Sequence, residues 1–224
     1  MKPIFDWSFA LEILPTLGSA LIITIQATVL GMLVAVTLGL ALALLRRSRL
    51  AIVSLPTAFV IEFVRSTPLL VQMYFLFYVM PLTGVQLSPL ATGIVALGLH
   101  YATYCAEVYR AGIEAVPRGQ IEASRSLGVG YWTTMRKVGL PQALFNVLPS
   151  MTSQFVSTIK ETSLGYVISV NELTFAANQV NNLVLTQPLQ VFGILAIIYF
   201  VVCFSLSRGL SWLDLRIRRQ RAMA

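Results

Sequence analysis

Polar and ionisable side chains in this chain recur at helical spacing inside apolar surroundings. His100, Thr103, Tyr104 and Glu107 fall at i, i+3, i+4 and i+7, one face of a helix. Gln154, Ser157, Thr158 and Glu161 repeat the spacing, with Met151, Phe155 and Ile159 off that face. Glu62, Arg65, Leu69 and Gln72 share a third face. Such groups can line a path for a polar solute, relay a proton, or hydrogen-bond one helix to the next. Covalent chemistry has no comparable support. There is no HExxH, no GxSxG, no GxxxxGK[ST] and no carboxylate pair at a useful catalytic spacing. The sequence therefore predicts a protein that is not itself an enzyme. Cys105 and Cys203 have no CxxC spacing and read as small core residues rather than a disulfide or metal site.

Those faces sit in a chain that is 57% apolar and 11% charged over 224 residues, against about a quarter charged in soluble domains. Several apolar runs exceed the ~20 residues that cross a bilayer. Only helices and closed barrels satisfy the backbone in lipid, and no alternating strands are evident, so the expected class is an all-α integral membrane protein. Five passes are predicted, at about 18–45, 51–80, 90–109, 141–170 and 189–213, forming one transmembrane domain over 1–224. The first is too long and too late for a cleaved signal peptide. The second exceeds one crossing, so its first part is expected along the inner surface.

Charge sets the direction. Arg46, Arg47 and Arg49 follow the first pass; Arg110, Arg118, Arg125, Arg136 and Lys137 follow the third; Arg208, Arg216, Arg218, Arg219 and Arg221 surround the end of the fifth. Of sixteen basic residues only Lys2, Arg65 and Lys160 lie elsewhere. The connections 81–89 and 171–188 have none. The positive-inside rule then puts the N-terminus outside and the C-terminus in the cytoplasm. The net charge of +7 records orientation in a bilayer, not nucleic-acid binding. Phe5, Trp7 and Phe9 suit an outer interfacial anchor.

Between the third and fourth passes lies a polar, basic segment, 117–140. It reads as two short helices, 119–127 and 131–138, broken at Gly128-Val129-Gly130, where glycine tolerates positive φ. Tyr131, Trp132 and Met135 are large apolar groups in a water-facing stretch. They either pack on the membrane surface or the chain's own helices, or dock into a groove on a soluble partner.

The spacing of Glu122, Ala123, Ser124, Gly128, Val138, Leu140 and Pro141 resembles the E-A-A-x3-G-x9-I-x-L-P signature of the membrane subunits of binding-protein-dependent ABC importers. Ser124 replaces the second alanine and Val138 the isoleucine. The likeness extends over nearly the whole chain. Residues 65–72 look like R-x-T-P-L-L-V-Q, residues 106–113 like A-E-x-x-R-x-G-I, and residues 160–164 like K-D-T-S-L of the polar-amino-acid branch. The resemblance implies a type I importer permease fold, with 117–140 as a coupling helix seated in an ATPase cleft. Glu122, Ala123, Ser124, Gly128, Val129, Tyr131, Trp132, Met135 and Arg136 would form the coupling element. Gly128 would set its bend, and Glu122 and Ala123 would brace it against the spans.

It further implies ATP and magnesium on a separate ATPase subunit and no cofactor in this chain. A second copy or homologous permease would complete the pathway in the bacterial inner membrane. An outer solute-binding protein would meet 81–89 and 171–188.

Within the stripes, positions 100 and 154 look like Asn and Glu in relatives. The resemblance implies that His100 and Gln154 face solute near mid-membrane; the helical spacing places Thr103, Tyr104, Ser157, Thr158 and Glu161 on the same faces, expected to line the translocation path. Gln154 removes a carboxylate that would suit a cation, which favours a zwitterionic or acidic solute. Residues 98–101 also look like permeases for ectoine and hydroxyectoine. Glu62 with Arg65, and Glu107 with Arg110, sit three apart as structural or gating pairs. The competing reading, a proton-coupled secondary transporter using His100, Glu107 and Glu161, lacks the expected inverted repeat.

Overall fold

The computed structural model describes residues 6–222, with side chains through Arg216. Phe5 and the side chains of Arg218, Arg219 and Arg221 lie outside the described residues. Among those described, every regular element is helical.

Helix α1 runs Trp7–Arg46 and so begins well before the predicted 18–45. Its start is set by Asp6, whose carboxylate accepts the Ser8 hydroxyl and the Ser8 and Phe9 amides. These bonds, the Ser8 hydroxyl foremost, hold the Asp6 carboxyl below its ordinary range. The Asp6 amide donates to Gln190 Oε1 at 3.0 Å, and Gln190 Nε2 donates back to the Asp6 carbonyl. This ties the start of α1 to the start of the last helix.

The predicted second pass breaks in two, so Glu62 and Arg65 do not share one helix face with Leu69 and Gln72 as their spacing suggests. Helix α2 (Ala51–Ser66) stops at Thr67-Pro68, and α3 (Leu69–Tyr74) sets off after a 102° bend. Proline bars its predecessor from helical backbone, and Thr67 is extended at φ −101°, ψ 129°. From α3 the chain passes through a π turn, Phe75–Val79, and a 3-10 turn, Met80–Thr83. Pro81 lacks an N–H and crowds the preceding turn, and the wider π turn accommodates it.

Helix α4 spans Pro89–Glu114, capped by Ser88. A short α5 (Arg118–Ser126) leads to Gly128 at φ +79°. Helix α6 (Tyr131–Thr134) then runs without a stop through a second π turn, Met135–Gly139, into α7 (Leu140–Glu161). The sequence predicts a separate helix ending at 138 and a fresh start at 140; the structure joins them, again with a π turn before a proline, Pro141. A 3-10 stretch, Thr162–Ile168, follows. Helix α8 (Leu173–Val184) is capped by Glu172, and α9 covers Pro188–Ala222.

The most extensive packing joins α1 and α4. Their centre buries Ala27, Met32, Ala35, Leu97, Tyr101 and Cys105 with Leu69 and Met73 of α3. Small residues permit the approach. A Cβ built on Gly98 would lie 2.6 Å from Val34 Cγ1. A second core joins the first half of α1 to α8 and α9. Both cysteines are buried, free thiols. By length and apolarity α1 and α9 can cross a membrane, and the bent pair α2–α3 supplies a third crossing if taken as one span. Helices α4 and α7 have 26 and 22 residues, long enough for a ~30 Å hydrocarbon core, but their polar faces dilute their apolarity.

Candidate functional site

The break in the second pass organises a polar cluster near the middle of α4. A helix end leaves carbonyls without partners. Gln72 reaches back from α3, and its amide nitrogen donates to the carbonyls of Val64 (2.8 Å) and Thr67 (2.9 Å). The same nitrogen lies 3.0 Å from Nδ1 of His100. The two amide hydrogens already serve the two carbonyls, so the ring nitrogen shares a hydrogen with them at most, and the contact leaves the His100 tautomer open. His100 is buried. Its ring centroid lies 5.5 Å from that of Tyr101 and 5.2 Å from that of Tyr104. The Arg65 guanidinium stands over Tyr104, 5.0 Å from its centroid.

The predicted stripes divide on this frame. His100 and Tyr104 enter the cluster. Buried Thr103 turns its hydroxyl onto the His100 carbonyl at 2.6 Å, as Thr158 does onto the Gln154 carbonyl at 2.8 Å. Thr158 also touches the Met32 sulfur at 3.8 Å. Glu161 lies beside the Tyr101 hydroxyl. Gln154 is half-buried on α7. Ser157 is exposed and lines a different groove, with Ser153, Ser207 and Ser211 of α7 and α9. Met151 and Phe155, off the predicted face, pack against the central core. Tyr101 is a member the spacing argument omits. Its only sequence signal is its place beside His100.

At the basic end of the bundle the structure adds a partner to an expected pair. Arg110 holds Glu107 at 2.9 Å, as the spacing predicts, and also Glu114 at 2.6 Å. Arg46, at the end of α1, grips the other Glu107 oxygen at 2.5 Å. One carboxylate thus ties two helices. Glu62 and Arg65 are 3.8 Å apart with Glu62 exposed, a weak contact. Replacing Glu107 with Ala leaves two facing arginines and is expected to cost ~1–3 kcal/mol. Thermal unfolding in detergent checks this; an unchanged midpoint would show that the clasp adds nothing.

The segment 117–140 is built as a knob. The Ser124 and Thr134 hydroxyls meet at 3.0 Å, with Thr134 fully buried. Ile121 packs on Gly139. Inside the knob the contacts run through Ile121 and Ser124, while Glu122 and Ala123 are exposed. Arg125 stands over the Tyr131 ring at 5.9 Å. Met135 is half-buried, its methyl against Gly139, whereas Val129 is half-buried and Arg136 exposed. The tip presents Leu127 and Trp132, 84% and 82% exposed, with half-exposed Tyr131. Singly exposed apolar residues need no explanation, but a contiguous patch marks a contact surface.

Residues 31–219 match the family model described as the binding-protein-dependent transport system inner membrane component. The chain belongs to this family. Among relatives of the permease is the probable amino-acid ABC transporter permease protein y4tG of Sinorhizobium fredii, 40% identical over 91% of this chain and 89% of that one. The L-cystine transport system permease protein TcyB of Bacillus subtilis is 35% identical over 86% and 82%. The crystal structure of an amino acid ABC transporter with histidines matches the permease with a TM-score of 0.89 at 34% identity, covering 95% of this chain and 99% of that one. A methionine ABC transporter, 20% identical with a TM-score of 0.64 over 92% and 98%, shares the fold.

Proposed function

We propose that this permease is the membrane subunit of an ATP-driven importer of amino acids or amino-acid-like zwitterions, cyclic ones such as ectoine included. The observation that carries the reading is the polar cluster of Arg65, Gln72, His100, Tyr101 and Tyr104 around a broken helix. Interrupted helices at mid-depth form solute sites in other transporters. The names of the relatives support the amino-acid class. Gln154 in place of a carboxylate, with a histidine ring at position 100 that can donate to a solute carboxylate, favours zwitterionic or acidic solutes over cations. Gln154 and Glu161 continue the pathway set, with Thr103 and Thr158 bonded to their own backbone and Ser157 on a neighbouring groove as its outer members, while Glu62–Arg65 and Glu107–Arg110 act as structural or gating pairs.

The chain spans the bacterial inner membrane five times with its N-terminus outside, so the basic end faces the cytoplasm. There the knob of Glu122, Ala123, Ser124, Gly128, Val129, Tyr131, Trp132, Met135 and Arg136 docks on a separate ATPase that binds ATP and magnesium. This chain carries no cofactor and does not hydrolyse ATP. A second copy or homologous permease completes the pathway, and an outer binding protein delivers solute to 81–89 and 171–188. Uptake by the assembled complex in proteoliposomes tests this. Glutamine, glutamate or ectoine should enter in preference to arginine, and uptake should survive a proton uncoupler while ATP is supplied. Preference for arginine sinks the solute class. Loss of uptake with the uncoupler favours the proton-coupled reading instead.

A further inference from the structure

Two buried polar atoms near the break have no hydrogen-bond partner within the described residues: Arg65 Nε and Glu161 Oε2. An unpartnered polar atom is costly inside a bilayer protein, so each calls for something to meet it. They carry opposite charges yet form no ion pair with one another; Arg65 reaches only Glu62, at 3.8 Å. A run of aromatic contacts leads from one to the other. Arg65 stands over Tyr104, the Tyr104 and Tyr101 centroids are 6.0 Å apart, and the Tyr101 hydroxyl lies beside Glu161. The His100 ring sits against both tyrosines, with its Nδ1 3.0 Å from the Gln72 amide nitrogen.

We propose that Arg65 and Glu161 are the two poles of a zwitterion site, with the Tyr101 and Tyr104 rings as its floor. The solute carboxylate meets the guanidinium and the solute ammonium meets the Glu161 carboxylate. This rests on the amino-acid reading above. A guanidinium presents forked donors suited to a carboxylate, and an ionised carboxylate is an acceptor suited to one N–H of an ammonium. Each solute charge then satisfies the atom that the chain leaves open. The arrangement also explains why a path can carry both an Arg and a Glu without favouring net charge of either sign.

The test uses the purified permease–ATPase complex without binding protein, so that only the membrane site is read. The probes are glutamine, its decarboxylated amine 4-aminobutanamide, and its deaminated acid glutaramic acid. Wild type should bind glutamine tighter than either analogue, by a factor of about 10 to 100 for each charge-assisted bond lost. Arg65→Gln should weaken glutamine by that factor while leaving 4-aminobutanamide nearly unchanged. Glu161→Gln should weaken glutamine similarly while sparing glutaramic acid. Arg65→Lys and Glu161→Asp keep the charges, and should restore the wild-type order of preference if the Gln variants fail to assemble.

Equal weakening of all three probes by either variant would assign it a structural role and overturn the proposal. So would variants that separate the two permease copies but leave glutamine binding intact, since the open atoms would then belong to the interface. If wild type imports glutamine yet the variants bind it normally, the zwitterion site alone falls. If wild type neither binds nor imports glutamine, glutamate or ectoine, the amino-acid reading falls with it.

Discussion

Gly128→Asp is expected to reduce uptake by more than about tenfold, a loss of at least ~1.4 kcal/mol of coupling, while the chain still inserts in the membrane. Gly128 sits at φ +79° between α5 and α6, a backbone region that costs an ordinary L-residue ~1–2 kcal/mol. A Cβ there meets nothing within 4 Å, so no clash inside the chain obscures the result. The damage falls on the tip, where Leu127 and Trp132 are the most exposed groups. A carboxylate beside them must be desolvated against whatever partner covers that patch.

Two controls separate the causes. Asn tolerates positive φ better than most residues and brings no charge, so Gly128→Asn should retain more uptake than Gly128→Asp. Gly130 has ordinary extended backbone at φ −61° and open space around it, so Gly130→Ala should transport normally. ATP-driven uptake in proteoliposomes, with membrane content measured by blotting, reads all three. Undiminished uptake by the Asp variant would refute the coupling role while leaving the helical fold untouched.

The bend at Gly128 was legible in the sequence because its cause is local. Three residues, Gly128-Val129-Gly130, interrupt two amphipathic stretches, and glycine at a helix end has one main use. The pair Glu107–Arg110 was legible for the same reason, since three residues along a helix are neighbours whatever the fold. Arg46 on Glu107 was not, because 61 positions separate them and only the packing of α1 on α4 brings them together. The bend at Thr67-Pro68 lay between. Pro68 announces a helix boundary and the excess length sends the first part along the inner surface, but apolarity on both sides does not reveal where or how sharply the chain turns. Without the angle of the bend the role of Gln72 stays hidden: its amide closes the broken end and lies beside His100. Among the polar stripes, helical spacing alone does not tell a hydroxyl aimed into a cavity from one bonded to its own backbone. Thr103 and Thr158 do the latter, as threonines in helices often do.

The second large effect is expected at Gly39, read against Gly18 on the same helix. A Cβ at Gly39 would lie 2.6 Å from Cys105 Cβ and 2.8 Å from the Ala102 carbonyl. Neither neighbour can swing away, because one is the root of a side chain and the other is backbone. Helices α1 and α4 must move apart, which strains the largest helix contact in the chain. Overpacking of this kind costs ~1–3 kcal/mol, set against the gain of ~1 kcal/mol for replacing a helical glycine with alanine. Gly18 has no atom within 4 Å of its Cβ position, so Gly18→Ala keeps the gain and escapes the cost.

The expected result is therefore of opposite sign for one substitution made twice. Gly39→Ala lowers the thermal midpoint in detergent, and Gly18→Ala leaves it level or raises it, at roughly 2–4 °C per kcal/mol for a chain of this size. Transport should follow stability at Gly39 for a further reason. Arg46 lies two helical turns beyond Gly39, and its grip on Glu107 at 2.5 Å leaves little slack for helices that separate. Glu107→Ala combined with Gly39→Ala should then cost less than the sum of the single changes, because the clasp is already loosened. Equal midpoints for the two glycine variants would mean that α1 and α4 do not meet at Gly39, and the clasp at their basic end would lose its support.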